Sequence, residues 1–171
     1  KMGVKNILER EHELGKIIWS KFAKIDNAHV LANNFIERLG VYSFYIDDLH
    51  FNLAVQLLND RYGVQVRGGC SCAGTYGHIL LDVDMNFSNN ITNQIDHGDL
   101  SLKPGWVRMS IHPIMTNEEI HFIMNAIEEV AKNHKEWSSD YSYNNKKNEF
   151  IFKDVSFSNK NKERAKSWFE L

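Results

Sequence analysis

The spacing of apolar residues changes along the chain, and each change predicts an element. Ile7, Leu8, Leu14, Ile17, Ile18 and Phe22 recur at a helical period, with Glu9, Arg10, Glu13 and Lys16 between them, which predicts an amphipathic helix. Asp26-Asn27 breaks it, His29 to Ala32 reads as a short strand, and Asn33-Asn34 is turn chemistry. Leu39 to Ile46 is β-branched and aromatic with no charged residue, which predicts a strand inside a sheet and buried on both faces. Asp47-Asp48 can cap a helix from Leu49 whose apolar face is Leu49, Leu53, Ala54, Leu57 and Leu58. Gly63 ends that helix, and Val64 to Arg67 is a second short strand. The centre therefore reads strand, helix, strand, at the size of a βαβ or split unit.

The second half is less regular. Residues 68–81 read as a loop or short helix of small residues, and residues 82–102, with Asn86, Asn89, Asn90 and Asn93, as a polar excursion or mobile loop. Trp106 to His112 alternates, which puts Val107, Met109 and Ile111 on one face and Trp106, Arg108, Ser110 and His112 on the other. Thr116 and Glu119 spell a capping box, with Met115 and Ile120 at the positions of a hydrophobic staple. The stripe Ile120, Ile123, Met124, Ile127, Val130, Ala131 continues that helix to His134-Lys135, cations suited to a helix C-terminus. Beyond Trp137 the chain is polar with spaced aromatics, which predicts an extended tail on a neighbouring surface, with a strand at Glu149 to Phe152. The predicted class is α+β: a small mixed sheet covered by helices over residues 1–137, then an extension over 138–171.

Composition narrows the function classes. The 171 residues are 43% apolar and 12% aromatic, so a packed core is expected and wholesale disorder is not. No apolar run approaches the ~20 residues of a membrane span. Twenty basic and 22 acidic residues leave a net charge of -2, which argues against nucleic-acid binding through bulk charge. Two cysteines make no disulfide framework, and no signal-like segment opens the chain. A cytoplasmic protein is expected. The chain opens on Lys1 and is expected to be a piece of a longer protein.

The stretch richest in chemistry runs from Arg67 to His78, R-G-G-C-S-C-A-G-T-Y-G-H, directly after a strand. Four readings compete. Cys70, Cys72 and His78 could bind zinc, although C-x-C is not the usual spacing and no second cysteine pair exists. The glycines could cradle a phosphate, although neither usual glycine-rich pattern is present. Both cysteines could be small packing residues in a tight turn. One could be a reactive thiolate, activated by a cation such as Arg67. Arg108 raises a similar choice. It lies in an otherwise apolar strand, paired with a structural carboxylate or exposed, or else aimed at a carboxylate ligand that its rigid fork fits. His50 and His112 sit at element junctions, where caps or satisfied surface groups account for them.

The segments RLGVYSFYI, LHFNLAVQLLNDRYGVQVRGGCSCAG and GWVRMSIHPIMTNEEI, in that order, resemble the C-terminal small domain of class V aminotransferases. Within them the chain is most similar to cysteine desulfurases and selenocysteine lyases of the second group. The resemblance covers about four-fifths of the chain, from Lys1 to Trp137. It implies a pyridoxal phosphate enzyme that cleaves a C–S or C–Se bond and leaves alanine. It places Cys72 on the family's persulfide-forming cysteine, Arg108 on the arginine that binds the substrate α-carboxylate, and Arg67 on an arginine of the active-site loop. It implies a homodimer and a sulfur-acceptor protein. No metal is implied.

Three departures stand beside the resemblance. Cys72 and Arg108 are thirty-six residues apart, far more than in the family, which implies an insertion across Tyr76 to Pro104. Met115 stands where the family has Asn before Thr. The tail beyond Trp137 has no counterpart. The lysine that carries the cofactor belongs to the family's large domain, and no cofactor-binding residue is expected in this chain. His134-Lys135 is the only His-Lys pair, and it reads as a solvated helix end. The isolated chain is therefore expected to be inactive. The alternatives are another class V reaction that does not use the cysteine, or a non-catalytic dimerisation or docking module.

Overall fold

The computed structural model describes residues 3–70 and 74–154, together with Glu163, Lys166 and Ser167. Four strands form the main sheet: β1 (Ala28–Val30), β2 (Val41–Ile46), β3 (Arg67–Gly69) and β4 (Trp106–Ser110). Their spatial order is β1-β2-β4-β3, and each neighbouring pair is antiparallel. The α+β class holds, but the sheet is antiparallel where a mixed one was expected. Because β4 runs against both β2 and β3, those two are parallel to each other with β4 between them. The unit β2–α2–β3 is thus the split form of βαβ.

Three helices cover one face of the sheet. They are α1 (Val4–Phe22), α2 (Phe51–Tyr62) and α5 (Asn117–Trp137). Leu14, Ile18 and Phe22 of α1, Leu57 and Leu58 of α2, and Ile120, Met124 and Ile127 of α5 join Tyr42, Phe44, Val107 and Met109 in one buried cluster. Strand β2 alternates: Tyr42, Phe44 and Ile46 are buried, whereas Val41, Ser43 and Tyr45 are only half-covered. It is an interior strand as expected, but only its helix-facing side is fully buried, since among the described residues no helix layer of comparable size covers the other side.

Local signals account for most boundaries. Thr116 Oγ1 accepts from Glu119 N at 3.1 Å and Glu119 Oε2 accepts from Thr116 N at 2.7 Å, the reciprocal capping box read from the sequence. Gly63 follows α2 at φ 66°, the left-handed conformation that favours glycine. The cap that starts α2 is His50 and not Asp47 or Asp48: its Nδ1 accepts from Asn52 N at 3.1 Å. Strand β3 begins at Arg67, later than the expected Val64.

The polar excursion is partly helical. A short helix α3 (Gly74–Leu80) precedes α4 (Met85–Asp96), which Asp84 caps by accepting from Phe87 N at 2.8 Å. The asparagines that suggested a loop lie on the exposed side of α4, and Ile91 is its buried contact. After a single 3-10 turn (Ser138–Asp140), β5 (Tyr141–Asn144) and β6 (Glu149–Phe152) form an antiparallel hairpin. Phe150 and Phe152 pack against the core, so this part of the tail lies on the chain's own body.

Candidate functional site

The face of the sheet turned away from the three helices carries the candidate chemistry. Arg67 on β3 is the register partner of Arg108 on β4, and Arg108 is in turn opposite Ser43 on β2. Residues directly opposite in an antiparallel ladder share a face, so Ser43, Arg108 and Arg67 form one row across three strands. Arg108 is half-buried and Arg67 is exposed. The Nε of Arg108 is fully buried and has no hydrogen-bond partner among the described residues. Neither arginine has an ion pair among the described residues. Two like charges placed opposite each other and left without a carboxylate are costly to the fold, and a planar carboxylate is the ligand their fork geometry suits.

Glycines set the approach to this row. A Cβ on Gly68 would meet Phe51 Cδ2 at 2.9 Å, Asn52 Oδ1 at 3.0 Å and Val55 Cγ2 at 3.1 Å, so α2 can lie this close only to a bare backbone. Gly69 sits at φ 120°, where a side chain would be strained, and turns the chain out of β3. Cys70 follows, half-buried, with its Sγ–H donating to Pro104 O at 2.7 Å. That bond ties the start of the cysteine loop to the residue before Gly105 and β4. Trp106 shares the face of Arg108 but is buried, because α3 lies on it: a Cβ on Gly77 would come within 3.2 Å of its ring. Trp106 shares a face with Arg108, as the alternation predicted, and its burial comes from α3. Pro104, Gly77 and Ser43 were not singled out in the sequence. Only Ser43 carried a signal, as the one small polar residue in an apolar strand.

Cys72, the expected catalytic residue, lies outside the described residues, so the structure brings together Arg67, Arg108 and Cys70 only. Among the described residues no group of three His, Cys, Asp or Glu side chains could hold a metal ion. No helix among them is long and apolar enough to cross a membrane. His50 and His112 act locally, His112 Nδ1 accepting from Ile114 N at 3.3 Å.

The fit of pyridoxal phosphate can be tested on the His-Lys pair. Lys135 is 74% exposed and its Nζ lies 3.1 Å from Asp48 Oδ2, at the end of α5 in the helical layer, across the sheet from the arginine row. His134 is buried, not solvated as expected, with Nδ1–H donating to Ala131 O at 3.0 Å. This pair does not fit a cofactor-carrying lysine.

The arginine row, the glycine-rich turn and the capping box all fall within the stretch that decides the family. The model of the class V aminotransferases (Aminotransferase class-V) matches residues 1–123. The chain belongs to this family. Enzymes of the family depend on pyridoxal phosphate. A search of curated proteins found no match. Among solved structures, the chain is similar to the apo cysteine desulfurase from Thermococcus onnurineus, with a TM-score of 0.53 and 24% identity over 77% of this chain and 28% of that one. It is also similar to the cysteine desulfurase CsdA from Escherichia coli, with a TM-score of 0.50 and 16% identity over 76% of this chain and 26% of that one. At these identities the likeness concerns the fold. This class V chain spans less than a third of the length of either neighbour.

Proposed function

We propose that this class V chain is the small domain of a cysteine desulfurase-like or selenocysteine lyase-like enzyme, and that it supplies the substrate-carboxylate site and the sulfur-accepting thiol. The observation that carries the reading is the row Arg67–Arg108 on the face turned away from the three core helices, with the buried Arg108 Nε left without a partner among the described residues. In this reading Arg108, with Arg67 beside it, takes the α-carboxylate of the amino acid. Bound pyridoxal phosphate, held by a part of the protein outside this chain, would supply the electron sink.

Cys72 does the sulfur chemistry. As thiolate it attacks the substrate sulfur. The new S–S bond forms as the C–S bond breaks, the bond's electron pair stays with carbon, and that carbon takes up a proton to give alanine. The products are alanine and a Cys72 persulfide, whose outer sulfur a sulfur-acceptor protein would remove. A cytoplasmic homodimer completes the proposal, the dimer being what the resemblance implies.

The test is to incubate the full-length protein with cysteine and measure alanine and protein-bound persulfide together. Equal amounts of both in a single turnover support the reading. A keto acid in place of alanine would move the enzyme to transamination. No turnover of either cysteine or selenocysteine by cofactor-loaded protein would leave a docking or dimerisation module.

A further inference from the structure

The hairpin β5–β6 lies beyond the residues that the family model matches, yet it contacts the start of α2 and the segment before β4, the neighbours of the two strands that carry the arginine row. Toward β3 it acts through the start of α2. Asn52 Nδ2 donates to Asn148 O at 2.6 Å, while the Oδ1 of the same Asn52 lies where a Cβ on Gly68 would meet it at 3.0 Å. The rings of Tyr143 and Phe150 lie 5.6 and 5.3 Å from His50, which stacks on Phe51 at 4.4 Å. Phe51 fills a notch of glycines: Cβ atoms on Gly68 and Gly105 would meet its ring at 2.9 and 2.6 Å. Gly68 adjoins Arg67, and Gly105 immediately precedes β4. Toward β4 the hairpin acts through the segment that precedes that strand. Leu100 N donates to Asn145 O at 3.0 Å, and the Asn145 side chain bonds to Asp99. Residues 99–104 then lead to Pro104, whose carbonyl holds Cys70.

We propose that this hairpin is a brace that sets the spacing of Arg67 and Arg108, with Asn52 and Tyr143 as positioning residues; the functional half of the proposal rests on the carboxylate reading above. The turn end of the hairpin touches both the start of α2, which packs on β3, and the segment that leads into β4, so it steadies the β3–β4 ladder at a sheet edge where, among the described residues, no further strand does so. Tyr143 also locks the turn itself, its hydroxyl donating to Asn148 Oδ1 at 2.9 Å.

The experiment compares Asn52→Ala, Tyr143→Ala and Tyr143→Phe with the parent in the full-length protein loaded with cofactor. Asn52 and Tyr143 are both half-buried and outside the buried cluster, so two independent variants guard against a fold lost in one. Amide hydrogen exchange is read at residues 67–69 and 106–108, and KM and kcat for cysteine are read separately. Both alanine variants should exchange about tenfold faster at those amides. Their KM should rise about tenfold with kcat at saturation retained. Tyr143→Phe keeps the ring against His50 and loses only the hydroxyl bond to Asn148, so it should fall between the parent and Tyr143→Ala. Faster exchange confined to residues 141–152 would overturn the brace. Faster exchange at 67–69 and 106–108 with unchanged KM would keep the brace and overturn the carboxylate reading instead.

Discussion

Arg67 and Arg108 face each other across β3 and β4, two guanidinium groups in register with no carboxylate beside either among the described residues. Sheets avoid this pairing because like charges directly opposite repel. Its presence separates stability from function in a testable way. Arg67→Gln removes the repulsion and should stabilise the fold by about 0.5 kcal/mol at low salt. The gain should shrink as salt screens the pair. Urea unfolding at low and high ionic strength checks this, and a loss of stability at low salt would show that Arg67 holds a structural partner.

Arg108→Lys keeps the charge and loses the bidentate fork. Amino-acid binding should weaken by about 1–3 kcal/mol, the worth of a charge-assisted hydrogen bond, while cofactor content stays the same. Titration of the cofactor-loaded protein with a non-reactive amino acid measures both. An unchanged Kd in a folded variant would make Arg108 a structural residue.

Gly68 makes a different demand, on space. Its missing side chain admits Phe51, Asn52 and Val55 of α2 to within about 3 Å of where a Cβ would stand. Gly68→Ala should therefore push α2 off the sheet edge and cost about 1–3 kcal/mol, as overpacking does. Gly63→Asn, at the left-handed turn where nothing lies within 4 Å, should be far milder. Thermal unfolding of the two variants side by side gives the order, and equal losses would contradict it.

These residues show what the sequence could reveal. The period of α1 and α5, the T-x-x-E cap and Gly63 are local rules, and local rules can be read without partners. Arg67 and Arg108 were each legible as candidates through the resemblance. Their pairing was not, because it depends on β4 entering between β2 and β3, a choice made by tertiary packing. The polar run after Leu81 hid α4, since an amphipathic helix with one buried Ile91 and several asparagines gives a weak periodic signal. Capping was one account of His50, but the start of α2 was given to Asp47-Asp48, whose carboxylates are the stronger capping groups. The burial of Trp106 could not be foreseen, since it depends on Gly77 of a helix twenty-nine residues away.

Tyr141 links the tail to pH. Burial, with its hydroxyl donating to Asp60 Oδ2 at 2.9 Å, pushes the phenol well above its usual value of 10.0. A group raised in the folded state holds its proton there while the unfolded chain releases it. Its stabilising contribution is therefore complete below pH 10 and declines as pH rises from there toward the folded value. Tyr42, Tyr62 and Tyr143 are shifted the same way, so Tyr141→Phe should flatten the alkaline loss of stability only in part. Urea midpoints at pH 8 and above pH 10 test this, and a variant as alkali-sensitive as the parent would remove Tyr141 from the account.

The two cysteines make the sharpest test of the reaction. Spacing does not choose between them, because residues two apart on an extended loop point the same way. The structure adds one distinction: Cys70 is half-buried and its Sγ–H is already given to Pro104 O at 2.7 Å, which suits an anchor for the loop more than a nucleophile. An attacking thiolate has to be exposed and close to positive charge, and Arg67 offers that charge near the loop. Cys72→Ser in the full-length protein should therefore abolish persulfide formation from cysteine, with amino-acid binding through Arg108 intact. Cys70→Ser should keep most persulfide formation, since a hydroxyl can still donate to Pro104. Peptide mapping of the trapped persulfide decides between them. Label on Cys70 alone would reverse the two roles. Alanine produced by Cys72→Ser at the parent rate, with no label on either residue, would show that the thiol takes no part in C–S cleavage and that both cysteines serve the packing of the turn.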